Sequence, residues 1–275
     1  MKTQLEKAMA LQALHEGTET FVIPNPWDVG SARVLEALGF QALATTSAGL
    51  AFSLGKLDGG VTLEEKIAHC RVLSEATAIP LSTDLENGFG HEPAVVAETI
   101  LRIAEAGAVG GSIEDYDGTG IYDFDLAVER IAAAAEAARS LDFPFALIGR
   151  CENLLRGRKD LDDTIRRLQA YEAAGADVLF APGLATLDEV RAVVDAVARP
   201  VNVLAPMVHG ASVAELSEIG VRRISIGGAL AHAAYAALID SAREIDQEGS
   251  FDWLAGLSAE NDVRRLLKAA RRSEA

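Results

Sequence analysis

Short apolar runs rich in β-branched residues recur along the chain at 21–24, 42–46, 79–83, 111–114, 145–150, 178–181, 201–204 and 223–226. Most are apolar along their length rather than alternating, the pattern of strands covered on both faces and hence of a parallel sheet. Between them the period changes to three and four. Phe124, Val128, Ile131, Ala135 and Ala138 share one helical face. Thr62 and Glu65 form a capping box before a helix to about Ala76, and Asp28 caps another that ends near Gly39. Further helices are predicted over 93–106, 161–174, 187–198, 213–218 and 230–244. Gly107, Gly175 and Gly220 stand where a left-handed C-cap turns a helix into the next strand.

Eight β-α units in roughly 250 residues predict an α/β fold, the (β/α)8 TIM barrel. A doubly wound sheet is the rival, but eight consecutive units without a break favour closure. Residues 1–18 read as an extra N-terminal helix and about 259–271 as a C-terminal helical arm beyond Gln247-Glu248-Gly249-Ser250. No linker divides the chain, so 1–275 is expected to be one barrel domain, the barrel at about 20–246 and the arm at about 250–275. Such an arm suits packing on another subunit.

Composition narrows the function. Hydrophobic residues at 49% supply an ample core, and a net charge of −16 argues against nucleic acid or an anionic membrane as partner. No apolar run is long enough to span a bilayer, and Met1-Lys2-Thr3-Gln4-Leu5-Glu6-Lys7 lacks the apolar core of a secretory signal. Cys70 and Cys151 make neither a disulfide framework nor a zinc spacing, so a reducing cytoplasm is expected. Cys70 reads as core; Cys151, beside Arg150 at a strand end, reads as core or as site lining.

Barrel chemistry collects at the C-terminal ends of the strands. Asp84 and Glu86 alternate at the end of the third, and Glu114 ends the fourth. Neighbouring strands would bring these like charges together, a repulsion that a hard divalent cation such as Mg2+ resolves through oxygen ligands. Arg150 ends the fifth strand, where it could clamp a substrate carboxylate; a buried structural pair with Glu114 is the bland alternative. Ser47-Ala48-Gly49 is either an ordinary turn or a set of amides for an oxyanion. Asn25-Pro26-Trp27-Asp28, Glu152 and Asn202 stand at other strand ends, and His209 follows the seventh. His15, His69, His91 and His232 have no ligand spacing and read as solvated or core.

Asn25-Pro26-Trp27-Asp28 with Ser31-Ala32-Arg33, Thr46-Ser47-Ala48-Gly49, Asp84-Leu85-Glu86-Asn87-Gly88-Phe89-Gly90, Ser112-Ile113-Glu114-Asp115 and Gly149-Arg150 occur in that order, one motif per strand. Together they resemble the isocitrate lyase/phosphoenolpyruvate mutase superfamily over roughly 20–245. The resemblance implies a barrel dependent on Mg2+ or Mn2+, assembled as a homotetramer that exchanges its last barrel helix between subunits. By motif position Asp84 would hold the metal, with Glu86 and Glu114 in its water-mediated shell and Asp58 as a nearby acid. Ser47 and Gly49 amides would bind the substrate carboxylate or enolate oxygen, and Arg150 the carboxylate; Trp27, Ala48 and Asn202 complete the expected substrate contacts.

The departures are equally informative. Lyases of this superfamily carry a Lys-x-Cys-Gly-His loop after strand 4 and mutases a Lys and an Asn; here the loop reads Tyr116-Asp117-Gly118-Thr119-Gly120-Ile121-Tyr122-Asp123. After strand 6, Phe180-Ala181-Pro182-Gly183 replaces a lyase Glu or a mutase His. Glu86 and Glu152 stand where Asp is usual, which makes this a divergent branch. The expected activity is cleavage of a C–C bond, decarboxylation included, in a small 2-oxo or 2-hydroxy acid through an enolpyruvate-like intermediate. Tyr116, Tyr122, His209 or water would be the proton donor. Phosphonomutase chemistry at a C–P bond, or a metal-binding barrel without catalysis, are the alternatives.

Overall fold

The computed structural model describes residues 2–256 and 260–272. Eight parallel strands, β1 (Phe21–Ile23), β2 (Leu43–Ala44), β3 (Leu81–Asp84), β4 (Gly110–Glu114), β5 (Ala146–Arg150), β6 (Val178–Phe180), β7 (Val201–Leu204) and β8 (Arg223–Ser225), are ordered β1-β8-β7-β6-β5-β4-β3-β2. Between β1 and β2 there is no ladder. The Ala44 amide donates to the Pro24 carbonyl at 3.0 Å, and the Asn25 side chain donates to Thr45 O and accepts from Ile226 N, both at 3.0 Å. The ring is therefore a barrel, and the doubly wound rival is set aside.

The helices are α1 (Gln4–Glu16), α2 (Val29–Ala37), α3 (Ser47–Ser53), α4 (Leu63–Ala76), α5 (Pro93–Glu105), α6 (Phe124–Arg139), α7 (Leu161–Ala174), α8 (Leu187–Ala196), α9 (Val213–Glu218), α10 (Ala229–Glu248) and α11 (Glu260–Arg272). The Thr62–Glu65 capping box forms as expected, and such a cap contributes about 1 kcal/mol. Gly175 ends α7 at φ 108°, a left-handed conformation that costs other residues more. The short helix α3 was not anticipated; it begins at Ser47-Ala48-Gly49, read as either a turn or a set of amides, because the Thr46 side chain caps it.

Alternation along each strand splits two cores. Leu81, Leu147, Leu179, Val203 and Ile224 face outward beneath Ile100, Ile131, Leu168 and Val193 of the surrounding helices. Inside, Ile148, Val178 and Phe180 pack with Leu204. At the strand starts α1 plugs the base, setting Ala8 and Leu11 against Phe21, Ile23 and Ala44; each fully buried side chain of Leu size contributes ~1.5–3 kcal/mol. The upper interior is left for polar groups. Register then fixes what points there: Asp84 pairs with Ser112, and Glu114 with Arg150.

The eighth barrel helix, α10, departs from its own barrel. Ala231 is its one buried residue, and Leu238, Ile239 and Ile245 are exposed. The arm helix α11 returns to pack against α2. No helix among the described residues is long and apolar enough to cross a membrane.

Candidate active site

The turn after β3 is held under strain. Glu86 and Phe89 adopt φ of 51° and 61°, costing non-glycine residues about 1–3 kcal/mol each. The Arg130 guanidinium offsets this by donating to the carbonyls of Asn87, Gly90 and His91, while Asn87 Oδ1 accepts from the Phe89 amide. Asp84 is fixed from three sides: its amide donates to Thr45 Oγ1 (2.9 Å), and its carboxylate accepts from the amides of Glu86 (3.1 Å) and Ser47 (3.3 Å).

Arg150 lies at the centre of the acids. Its Nε donates to Glu152 at 2.6 Å, Nη2 stands 3.2 Å from Glu114, and Nη1 stands 3.6 Å from Asp84. Arg156 reaches the other oxygen of Glu152 at 2.8 Å and lies over the Tyr116 ring, 3.9 Å from its centroid. Lys66, fully buried, forms an ion pair with Glu86 at 3.4 Å that falls short of hydrogen-bond geometry.

These contacts sort the acids. Burial alone would raise Asp84, but Arg150, Lys66 and the two amides hold it below the usual carboxylate range. Burial raises Glu86 against the pull of Lys66, and repulsion from Asp84 and Asp58 adds to the rise. Glu114 is pushed up to about 8, chiefly by burial and then by Glu152 and Asp84, against Arg150. Burial opposes the charge of Arg150, yet its three acids keep it more basic than a free arginine.

Asp84, Asp58, Ser47, Ala48, Arg150 and Asn202 line one cavity of about 360 Å3 inside the strand ends. A second hollow of about 290 Å3 shares Ser47, Asp58 and Arg150 with it and adds Glu86, Glu114, Tyr116 and Arg156. A larger hollow, about 440 Å3, lies at the other end between α1 and the strand starts, away from where barrel chemistry collects.

A family model described as phosphoenolpyruvate phosphomutase matches residues 11–246. The chain belongs to this phosphoenolpyruvate mutase family. It is 35% identical to an uncharacterized Mycobacterium tuberculosis protein over 83% of this chain and 88% of that one. It is 30% identical to an oxaloacetate decarboxylase of Bradyrhizobium, over 89% of this chain and 86% of the relative. A crystal structure from Burkholderia cenocepacia, its activity given only as lyase/mutase, superposes with a TM-score of 0.92 at 53% identity, covering 95% of each chain. Family relatives thus include lyases, decarboxylases and mutases, and the chain is an enzyme of that kind.

Against this family pattern the expected residues divide. Asp84, Glu86, Glu114, Asp58, Arg150, Ser47, Ala48, Asn202 and Tyr116 line the two hollows. Gly49 does not: its amide is directed to Thr46 Oγ1 at 3.4 Å, and its Cα packs so close that an added Cβ would meet Trp27 and Ala231. Trp27 lies behind Gly49, with its carbonyl accepting from His69 Nε2, so it backs the wall of the site instead of lining it. Tyr122 is buried under Arg130 with its hydroxyl 3.0 Å from His91 Nδ1, and serves the loop clamp. His209 is exposed and its amide donates to Ala185, so it stays outside the cavity. Cys151 proves to be core, and burial pushes its thiol well up.

The three metal-site acids meet less closely than expected. Among the described residues no three His, Cys, Asp or Glu side chains stand close enough to hold an ion by themselves. Arg150 occupies the space between Asp84 and Glu114. Asp84 remains as an anchor, and Glu86 keeps a buried oxygen that accepts no hydrogen bond from the protein. One carboxylate with further oxygens approached through water is a donor set that suits Mg2+.

Lys66, Arg156 and Arg223 were missed from the sequence. Lys66 precedes Cys70 and Leu73 at helical spacing, and Arg156 follows Glu152 by four, so both left a signal.

Proposed function

We propose that this enzyme cleaves a C–C bond of a small 2-oxo or 2-hydroxy acid, decarboxylation included, with Mg2+ or Mn2+ bound at Asp84. The observation that carries this reading is the convergence of Asp84, the Ser47 amide and Arg150 on one cavity from three separate strand ends. A cation held by Asp84, with Glu86 and Glu114 reaching it through water, would polarise the substrate's keto or hydroxyl oxygen.

The chain's own residues supply orientation. Glu152 fixes the plane of the Arg150 guanidinium, which suits gripping a substrate carboxylate so that the bond to be broken stands perpendicular to the carbonyl plane. Ser47 and Ala48, at the start of α3, turn its positive end toward the charge that develops on oxygen. Tyr116, whose hydroxyl donates to Gly118 O beside the exposed Gly118 and Thr119, is the favoured proton donor among the expected side chains. The stripe Ala231, Tyr235, Leu238, Ala242 and Ile245 on α10 supports assembly as a homotetramer by exchange of this helix.

The test follows pyruvate release from oxaloacetate, and deuterium exchange at C3 of pyruvate, each with Mg2+. The wild type should perform at least one, and Asp84→Asn should lose both activities together with Mg2+ binding by calorimetry. Absence of both in a metal-bound wild type, or unchanged binding in Asp84→Asn, refutes the reading.

A further inference from the structure

The cavity that opens between Asp84 and Arg150 continues downward to a group that none of the proposed chemistry uses. Arg223, the first residue of β8, lines its floor with Ser82, Asn202 and Ser225. It is buried, and its Nη2 donates to Ser82 Oγ at 3.3 Å. Its Nε and Nη1 meet no hydrogen-bond acceptor among the described residues. Among the described residues the other buried arginines are answered, Arg167 by carboxylates and Arg130 by backbone carbonyls, and so is the half-buried Arg150 by its acids. Arg223 is not. Burial pulls its pKa down to about 10 with no acid countering it.

A buried, unpaired guanidinium is among the costliest groups a fold can carry. Such a group is expected where a ligand supplies the missing anion. The floor offers little else to do so. His15, beneath it on α1, is held neutral, its pKa lowered to about 3 by burial and by Arg223 itself. Asn202 Oδ1, on the same floor, likewise has no protein donor.

The dimensions select a ligand class. Ser82, which accepts from Arg223, precedes Asp84 by two residues on β3, and two strand steps span ~6.6 Å. That separation suits the two ends of a four-carbon diacid. The planar fork of arginine matches a carboxylate through two N–H groups, and Nε with Nη1 is such a pair.

We propose that Arg223 receives the distal carboxylate of the substrate, which makes this an enzyme of 2-oxo or 2-hydroxy diacids and not of monoacids. The proposal rests on the reading that the 2-oxo or 2-hydroxy acid head binds at Asp84 and Arg150.

Malate and lactate test it, because they share the 2-hydroxy acid head and differ by the distal carboxylate alone. Both enantiomers of each are titrated by calorimetry with Mg2+. Wild type should bind one malate enantiomer at least about tenfold more tightly than the matching lactate. Arg223→Met should collapse that ratio toward one, lactate affinity moving far less than malate affinity. Without ligand, Arg223→Met should melt higher than wild type, since it removes an unanswered buried charge; a purely structural arginine gives a lower melting temperature. Arg223→Lys, which keeps the charge and loses the fork, should give an intermediate ratio and covers the case in which the methionine variant does not fold. An unchanged malate-to-lactate ratio in the folded variants overturns the proposal. Equal binding of malate and lactate by wild type overturns it alone and leaves the head-group reading standing. Binding of neither with Mg2+ brings down both.

Discussion

Lowering the pH should loosen the wall behind the active site, because His69 is trapped in its neutral form. Its Nε2 donates to the Trp27 carbonyl at 2.9 Å, while Nδ1 is buried with no hydrogen-bond partner. Burial, chiefly, and nearby Lys66 depress its pKa to about 4. In the unfolded chain histidine titrates near 6.5. As pH falls below that value the unfolded state takes up a proton that the folded state refuses, so stability is lost from about pH 6.5 down to about pH 4 and is then level. At pH 5 the ratio of the two binding terms corresponds to ~2 kcal/mol of lost stability relative to pH 8. His69→Gln keeps a donor for Trp27 and does not titrate. Urea unfolding at pH 8 and pH 5 should therefore show a fall between the two pH values smaller by ~2 kcal/mol in the variant than in wild type. Any uniform cost of the substitution cancels in this double difference. Equal falls within ~0.5 kcal/mol would show that His69 is protonated in the native state and that the reasoning from its burial is wrong.

Two further outcomes are expected. Asp115 accepts from the Tyr171 hydroxyl (2.5 Å), Arg167 (3.1 Å) and the Glu152 amide (2.7 Å), so Asp115→Asn should destabilise by about 3 kcal/mol in urea unfolding; a loss below ~1 kcal/mol contradicts the reading of a buried charge network. Leu238→Glu on the exposed stripe of α10 should lower the assembly state in sedimentation, and a wild type already monomeric at micromolar concentration refutes the helix-exchange proposal.

The barrel was legible because its eight strands are short, largely buried runs, most of them apolar, and burial on both faces is written in composition. Strand ends followed directly, and so did the convergence of Asp84, Glu114 and Arg150. What stayed hidden depends on side-chain pairing across distant segments. Tyr122 read as a candidate proton donor, yet Arg130 and His91, reached through other elements, draw it into the loop clamp. Gly49 looked like an anion-binding amide, but Thr46 starts a helix there and takes its N–H. Arg223 stands with Arg222 at the head of a short apolar run, where charged residues read as a strand boundary; its isolation emerges only when its neighbours around the ring are known.

Asn25 gives the barrel a property its ladders do not. Where the ring lacks a strand pairing, this one carboxamide is stitched to the segments following β2 and β8. Closure of the cylinder there relies on a side chain and the single Ala44–Pro24 bond, in place of a repeating backbone seam. The residue works as a clasp at the rim of the substrate mouth, so the bonds that shut the barrel and those that set the width of its opening are the same. Asparagine suits the position because it offers a donor and an acceptor at once; aspartate would lose the first and leucine both.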